Sequence, residues 1–475
     1  MKTRWLVSFM ALLGVWLLLV PDGLVQSLTH ADISERERLS PSFLHALLTW
    51  ADPIGITLSE ADATYPVMAL DRGRNQLHLA WEEAASIHYA YQNLDESVWH
   101  TDFPTWLGHS PAIAVDAEGC PHILYVSEDA SPGQSQIYHR SPRQDWTPND
   151  VSSTFANSQR PDISLIIDGS IHVVWVDTRE GVNTVCYACS QDHGDTWPSM
   201  EPITNGSAPA LTLGLGDRIW VAWQSVHDPA DPERPDIYVV SRTADGWGVP
   251  IPVSQTSEGD SRAPDIACDS TGRVHLVWEE EAPDGSASAV RYASHVEDAW
   301  GAPAPLSSGE GFATCPKLAL SSCDIPYVAW DAGASIEMCQ QTGQGAWGDI
   351  ECIASNEAGI RDVTLAVDGQ GTAYAAWSAQ DESGMWTLYC SHQETESTTT
   401  PTTRPTETPT PSLTATATVE PTVPTGTPTE TMTPSPTVTL TATVTATPTL
   451  TPTATETSTA TPSVTASLTA SLTAT

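Results

Sequence analysis

Short apolar segments that end in an aromatic residue recur seven times between residues 43 and 392. The copies are QLHLAW (76–81), PHILY (121–125), SIHVVW (170–175), RIWVAW (218–223), RVHLVW (273–278), IPYVAW (325–330) and TAYAAW (372–377). Their terminal aromatics lie about 44 to 55 residues apart, which is the length of one four-stranded β-propeller blade. The pattern therefore predicts seven blades, each with an apolar strand at its centre.

Three further strands surround each aromatic strand. A segment such as RPDISLIID (160–168) precedes it, and the Asp-Gly pair at 168–169 predicts a tight hairpin between the two. A third strand such as IYVVS (237–241) follows, then a second Trp such as Trp247, and then a fourth strand such as PIPVS (250–254). No long segment has helical periodicity, so the sequence predicts an all-β fold.

The seventh unit stops after its third strand, and a segment near the start of the chain supplies the missing one. TWADPIGITLS (49–59) resembles GWGVPIPVS (246–254), with Trp50 in the place of Trp247. A ring closed by strands from both ends leaves no exposed sheet edge. We therefore predict a seven-bladed β-propeller closed by an N-terminal strand.

The ends of the chain differ from this repeat. Lys2 and Arg4 precede an apolar run over residues 5–20, which predicts a signal peptide at 1–27 followed by a linker at 28–42. The propeller occupies 43–392. Residues 393–475 are almost entirely Thr, Pro, Ser, Ala and Val, a composition typical of a disordered stalk. The protein is predicted to be secreted or at the cell surface, with an uncleaved leader or another anchor as its only link to a membrane.

The charge of the chain narrows the classes of partner. Acidic residues outnumber basic ones 59 to 19, and the formal net charge is −40. This charge repels nucleic acid and anionic membrane surfaces, so neither is predicted as a partner. We expect a monomer.

Cysteine and histidine do not form a metal-binding pattern. Nine cysteines in an exported chain favour some disulfides, and Cys339 with Cys352 is the predicted pair because both lie on neighbouring strands of one unit. Four histidines occupy the same position of the repeat, one in each of four units: His78, His122, His172 and His275. Spread around a ring they cannot share one ion, so they are interpreted as packing residues, and neither a metal nor a cofactor is predicted.

One turn carries a specific motif, SQDHGDTW at 190–197. Its matching positions are Ser190, Asp192, Gly194, Thr196 and Trp197. The motif resembles the Asp box (BNR repeat) of sialidase-like propellers, and it lies between a third and a fourth strand, as in that family. The resemblance implies a structural role, in which Ser and Asp bind turn amides, Gly adopts a positive φ and Trp packs between blades.

The same resemblance directs attention to three arginines near the starts of first strands. Sialidases grip the substrate carboxylate with three arginines, and they use a Tyr–Glu pair and an Asp in catalysis. Here the candidate ligand-binding residues are Arg160, Arg262 and Arg361, each followed by an aspartate: Asp162, Asp265 and Asp362. There is no Arg-Ile-Pro motif in the sequence, and no Tyr–Glu pair can be nominated, so the catalytic residues are unknown. Salt bridges that hold the channel rim are the structural alternative.

Three functions remain open from the sequence. The preferred one is extracellular recognition of a glycan or a protein at the channel face. The alternatives are an exo-sialidase type of glycoside hydrolase and an architectural protein of the cell envelope.

Overall fold

The computed structural model describes the backbone of Trp16–Leu19 and Val25–Leu28, and residues 49–394 with short gaps. The gaps are 57–60, 97, 102, 129–133, 154–155, 167, 180, 199, 227–233, 255–258, 297–298, 310 and 343–344. Strands β1 (Trp16–Leu19) and β2 (Val25–Leu28) pair antiparallel. Apart from Leu28, Gln393 and Glu394, the predicted linker and stalk lie outside the described residues, and the signal peptide stays a prediction. Among the described residues, no helix is long and apolar enough to cross a membrane.

Seven antiparallel sheets follow one another along the chain. Blade 1 contains β5 (Ala63–Asp71), β6 (Gln76–Glu83), β7 (Ser86–Asn93), β8 (Trp99–His100) and β9 (Trp106–Leu107). Blade 2 contains β10 (His109–Val115), β11 (Pro121–Ser127), β12 (Gln136–Arg140) and β13 (Asn149–Asp150). Blade 3 contains β14 (Asn157–Leu165), β15 (Ile171–Arg179), β16 (Val182–Ser190) and β17 (Glu201–Asn205). Blade 4 contains β18 (Ser207–Leu213), β19 (Ile219–Val226), β20 (Pro235–Thr243), β21 (Gly246–Trp247) and β22 (Ile251–Pro252).

Blade 5 contains β23 (Asp260–Cys268), β24 (Val274–Glu281), β25 (Ser288–Val296), β26 (Ala299–Trp300) and β27 (Ala304–Pro305). Blade 6 contains β28 (Thr314–Leu320), β29 (Pro326–Asp331), β30 (Ser335–Gln340) and β31 (Glu351–Ser355). Blade 7 contains β32 (Ile360–Val367), β33 (Ala373–Gln380) and β34 (Trp386–Glu394), together with β3 (Thr49–Trp50) and β4 (Ile54–Gly55). Two short 3₁₀ turns, Pro142–Gln144 and Leu215–Asp217, are the helical segments of the described residues. The seven-bladed all-β prediction is confirmed.

Blade 7 is closed by the N-terminal segment, as the sequence predicts. Trp50 pairs with Gln393, and Ile54 pairs with Cys390. The amide of Ile56 donates to the carbonyl of Leu388 at 2.9 Å. Ile56 is buried in the core between blades 7 and 1, so the closing segment adds apolar packing as well as backbone hydrogen bonds.

The first strands line the centre of the ring, and each contacts the first strand of the next blade. Each also contains a β-bulge at its start, with one residue at a φ between 47° and 61°. The bulge residues are Tyr65, Ser110, Arg160, Ala208, Ala263, Cys315 and Asp362. A positive φ is uncommon in residues other than glycine, and bulges re-aim side chains at sheet rims. The seven bulges define one face of the ring, which we call the mouth face.

The aromatic residue of each second strand packs in the core. Trp81, Trp175, Trp223, Trp278, Trp330 and Trp377 are the six tryptophans at this position, and all are buried. The four histidines that lie three residues before the aromatic residue are buried as well. His78 binds the hydroxyl of Tyr89 at 2.7 Å, and His172 binds that of Tyr187 at 2.7 Å. Each histidine thus has a partner in its own blade, which supports the packing interpretation.

All nine cysteines are free thiols, so the predicted Cys339–Cys352 pairing is wrong in this structure. Cys339 is buried in the apolar core between blades 5 and 6. Cys352 is exposed and pairs with Glu337 across the strands. Membership of neighbouring strands did not bring the two sulfur atoms together, because Cys352 lies opposite Glu337, two residues before Cys339.

Candidate site at the mouth of the central channel

A lysine in the channel organises the centre of the mouth face. Lys317 lies two residues after the bulge of blade 6, and the only other lysine of the chain is Lys2. Its side chain is exposed to channel solvent although protein surrounds it. A side chain in an open channel can be solvent-exposed and enclosed by protein at once, because water enters between the channel walls. Enclosure lowers the pKa of Lys317, but Asp265, Asp162 and Asp331 outweigh it and raise the pKa above its usual value.

Asp162 and Asp265 occupy the same position of the repeat as Lys317, two residues after the bulge. Each binds a backbone amide of the following blade: Asp162 accepts from Leu211 at 2.6 Å, and Asp265 accepts from Leu318 at 2.7 Å. Desolvation, followed by repulsion from Asp265, raises the pKa of Asp162 to about 6. Desolvation also raises the pKa of Asp265. The two carboxylates therefore connect neighbouring blades and balance the charge of Lys317.

A second set of carboxylates comes from the residue after the buried Trp. Asp331 accepts the amides of Asp362 at 2.9 Å and Val363 at 3.2 Å from the next blade. Glu279 accepts the amide of Cys315 at 3.3 Å in the same way. Desolvation raises the pKa of Asp331 to about 7, and its side chain is only 7% exposed. A carboxyl group that keeps a proton near neutral pH meets one requirement of a general acid.

The three candidate arginines do not share a position of the repeat. Arg262 and Arg361 both directly precede the bulge residue, whereas Arg160 is itself the bulge residue. Arg262 forms ion pairs with Asp260 at 2.6 Å and Glu281 at 2.8 Å. Its predicted partner, Asp265, is not among its contacts. Arg160 is exposed and has no ion pair among the described residues.

The aspartates also differ in position from the prediction. Asp162 and Asp265 are equivalent, but Asp362 is a bulge residue two places earlier, and Thr364 takes the equivalent position in blade 7. The predicted alignment was wrong because the arginine and the aspartate are separated by a different number of residues in each blade, and Asp362 follows Arg361 directly. Asp362 binds the backbone amide of Tyr65, so it joins blade 7 to blade 1. Of the three predicted Arg–Asp pairs, Arg361 with Asp362, at 3.3 Å, is the one present.

An aromatic patch surrounds this pair at the junction of blades 7 and 1. The guanidinium carbon of Arg361 lies 4.0 Å from the ring centroid of Trp386, in cation–π geometry. Tyr65 follows on the neighbouring blade and is 52% exposed. The amide of Trp386 donates to Asp62 at 2.9 Å, which fixes the start of its strand. Tyr65, Arg361 and Trp386 form what we call the aromatic patch, and sequence analysis missed both of its aromatic members.

The SQDHGDTW segment (190–197) lies on the opposite face, in the turn between the third and fourth strands of blade 3. Asp192 accepts from the Ser190 hydroxyl at 2.7 Å, from the Thr196 amide at 2.9 Å and from the Thr196 hydroxyl at 2.6 Å. Gly194 has a φ of +87°, and a side chain there would meet the His139 ring. Trp197 packs against the core between blades 2 and 3. These contacts are those that the predicted structural role requires.

Replacing Asp192 with Ala tests that role. We expect a loss of about 1–3 kcal/mol in the free energy of unfolding, because turn hydrogen bonds are lost. Denaturant unfolding of the variant measures it, with Gln191→Ala, at the exposed neighbouring position, as the matched control. Equal stability of the Asp192 variant and the wild type would contradict the role.

Comparison with known proteins places the fold. No family model matches the chain, and no curated protein matches it at a significant level. Among solved structures, an ulvan lyase of polysaccharide lyase family PL25 aligns with a TM-score of 0.52 at 12% identity, over 71% of this chain and 95% of that one. A GH93 α-L-arabinofuranosidase of Fusarium graminearum aligns with a TM-score of 0.42 at 13% identity, over 60% and 92%. A leech intramolecular trans-sialidase aligns with a TM-score of 0.41 at 9% identity, over 72% and 70%. At these identities the first likeness shows a shared propeller fold.

Proposed function

We propose that this protein is an extracellular recognition module that binds a glycan at the mouth face of its propeller. The observation that carries the proposal is the aromatic patch, in which Arg361 is stacked on Trp386 and the amide of exposed Tyr65 binds Asp362, the residue after Arg361. Pocket surfaces that bind small molecules combine apolar or aromatic walls with a few placed polar groups. The fold shared with an ulvan lyase supports a carbohydrate as the ligand, since propellers of this kind accommodate polysaccharide.

The chemistry of the patch suits a sugar ring. The exposed face of Tyr65 offers a flat apolar surface for the C–H groups of a pyranose. Arg361 is held by Trp386 on one side and by Asp362 at 3.3 Å on the other. A guanidinium fixed in this way retains N–H donors for sugar hydroxyls or a carboxylate, and it loses little conformational entropy on binding.

Glycoside hydrolysis of the sialidase type is the second candidate, and the Asp331 carboxyl is the observation that favours it. A pKa of about 7 suits a general acid. Against this candidate, both oxygens of Asp331 are occupied by backbone amides of blade 7, and Arg262 is neutralised by two carboxylates of its own blade. A carboxylate clamp requires three arginines with donors directed at one ligand, so recognition without turnover is the better-supported function.

A glycan array probed with the chain over residues 28–394, beside a fluorogenic sialoside hydrolysis assay, tests the proposal. We expect specific binding without turnover. Tyr65→Ala and Arg361→Ala should each weaken binding of the best glycan at least tenfold, because each removes one surface of the patch. Phe312→Ala is the matched control, since Phe312 is exposed to a similar extent, 53%, at the start of blade 6.

The outcomes separate the candidates. An equal loss of binding in the Phe312 variant would contradict the placement at blades 7 and 1. Turnover that Asp331→Asn abolishes would replace recognition with hydrolysis. Silence in both assays would favour the architectural function, in which the propeller contacts only proteins.

A further inference from the structure

A cavity of about 550 Å³ lies between blades 4 and 5, on the face opposite the mouth. Its walls are the turn at Leu215–Arg218, the turn at Thr271–Arg273 and the ends of two third strands at Thr243 and His295–Val296. Turns from first to second strands and ends of third strands lie at the same edge of an antiparallel blade. The cavity is therefore separate from the aromatic patch and from Lys317.

Two positively charged groups line this cavity. They are the guanidinium groups of Arg218 and Arg273, and none of the lining residues that the structure describes is a carboxylate. Neither guanidinium has an ion pair among the described residues, whereas Arg143, Arg242 and Arg291 are all paired with acids. In a chain with 59 acidic and 19 basic residues, two unpaired arginines at one cavity are a local concentration of positive charge.

The arginines are held in place by the blades themselves. Arg218 lies with its guanidinium carbon 5.5 Å from the Trp220 ring centroid. The amide of Arg273 donates to Asp269 at 2.8 Å, and so does that of Thr271 at 2.9 Å. Gly272 between them has a φ of +87°, and a side chain there would meet Leu215 at 2.9 Å. Glycine at this position lets the two turns approach and brings both arginines to one cavity.

Apolar and hydroxyl groups complete the lining. Leu215 and Val296 are exposed apolar side chains at the rim. Thr243 and Thr271 add hydroxyl groups, and His295 lies 5.0 Å from Trp220 between ring centroids. Guanidinium groups bind planar carboxylates in bidentate geometry, the apolar rim suits the C–H face of a sugar, and hydroxyl groups bind hydroxyl groups.

We propose that this cavity, which we call the basic cavity, binds one carboxylated sugar residue, a hexuronate. The net charge of −40 repels ligands of high charge density such as polyphosphates. A sugar with a single carboxylate can bind both arginines and is repelled only weakly by the distant acidic residues. The site is independent of the aromatic patch. A glycan chain with a uronate residue thus has two separate places to bind on one propeller.

Isothermal titration calorimetry of the full chain with glucuronic acid tests the proposal, with glucose and inorganic sulfate as comparison ligands. We expect saturable binding of glucuronate, none of glucose, and weaker binding of sulfate because sulfate does not use the apolar rim. Arg218→Gln and Arg273→Gln should each weaken glucuronate binding at least tenfold. Arg74→Gln is the matched control, since Arg74 lies in the corresponding turn of blade 1 and pairs with Asp71.

Thermal melting of each variant shows whether it is folded, and the two single variants give independent readings. Phe312→Ala, at an exposed position outside both proposed sites, should leave glucuronate binding unchanged. Binding that survives both arginine substitutions would overturn the proposal, as would the absence of saturable binding. Sulfate bound as tightly as glucuronate would also overturn it, because the site would then recognise any small anion.

Discussion

A chain that lacks residues 43–60 will lose the cooperative unfolding transition of the propeller. The deletion removes β3 and β4, which form the outer edge of blade 7, and with them the buried side chain of Ile56. It also removes the hydroxyl bond from Ser391 to the carbonyl of Ala51, at 2.6 Å. The combined loss is about 4–8 kcal/mol from apolar burial and hydrogen bonds, which is comparable to the whole stability of a typical domain.

Thermal unfolding followed by circular dichroism measures this effect on a chain that starts at Ala61 and ends at Glu394. The control is the chain over residues 43–394, which keeps the closing strands and lacks the same C-terminal segment. Trp50→Ala with Ile56→Ala in the intact chain gives an intermediate case, because the backbone ladder remains. A truncated chain that melts at the temperature of the control would show that the closing strands do not stabilise the ring.

Replacing Lys317 with Met will destabilise the protein more at pH 8 than at pH 5. Lys317 is the cation that faces Asp162, Asp265, Asp331 and Asp362 in the channel. Removing one partner of an enclosed ion cluster is costly, but channel solvent screens the interaction. We therefore expect a loss of about 1–3 kcal/mol in the free energy of unfolding at pH 8.

The pH dependence follows from the carboxyl groups. The folded state raises the pKa of Asp162 to about 6 and that of Asp331 to about 7, from an ordinary 3.8. Between pH 4 and pH 7 the unfolded chain therefore binds fewer protons at these groups, and stability falls as pH rises. At pH 5 both carboxyls are largely neutral and need little compensation. At pH 8 both are ionised, and without Lys317 their repulsion is unopposed.

The lysine itself does not make the free energy of unfolding depend on pH between pH 5 and pH 8. Its raised pKa keeps it charged in both states at pH 5 and at pH 8, so the difference between the two pH values comes from the carboxyl groups. Lys317→Arg retains the charge and is the matched control. Denaturant unfolding of both variants at the two pH values decides the matter. A loss for Lys317→Met that is equal at pH 5 and pH 8 would mean that packing of the aliphatic stem, and not charge, is what the lysine supplies.

The fold was predictable because its signal is repeated. Each second strand carries the same apolar segment and terminal aromatic, and this Trp, or Tyr125 in blade 2, is buried in every blade. Closure by residues 49–59 was predictable too, since Trp50 fills the place that Trp247 fills in blade 4. One short apolar segment is hard to assign as a strand by itself, but seven copies at a regular spacing identify it as a propeller strand.

The candidate site was less predictable because it depends on small departures from the repeat. Arg160 lies at the bulge residue itself, one position later than Arg262 and Arg361, although all three precede an aspartate by one to three residues in the sequence. Lys317 occupies in blade 6 the position that Asp162 and Asp265 occupy in blades 3 and 5. This equivalence appears when β28 is aligned with β14 and β23 at the bulge residue. The sequence signal for this residue was the rarity of lysine. A single lysine in a strand of so acidic a chain indicates that its charge has a specific structural or functional role.

The aromatic patch was missed for a different reason. Tyr65 and Trp386 are more than 300 residues apart in the sequence, and the ring closure places their blades side by side. Tyr65 belongs to a first strand, where no other blade has an aromatic bulge residue. Contacts made by closure depend on long-range geometry and leave no local pattern.

The closing strands have a mechanical consequence. β34, the strand that leads to residue 394, is hydrogen-bonded to β33 on one side and to β3 and β4 on the other. Tension applied to the chain beyond residue 394 therefore meets two backbone ladders at once, because β34 is not an edge strand of its blade. The N-terminal segment thus holds β34 in blade 7, so that a force applied through this strand has to break hydrogen bonds on both of its sides before the blade opens.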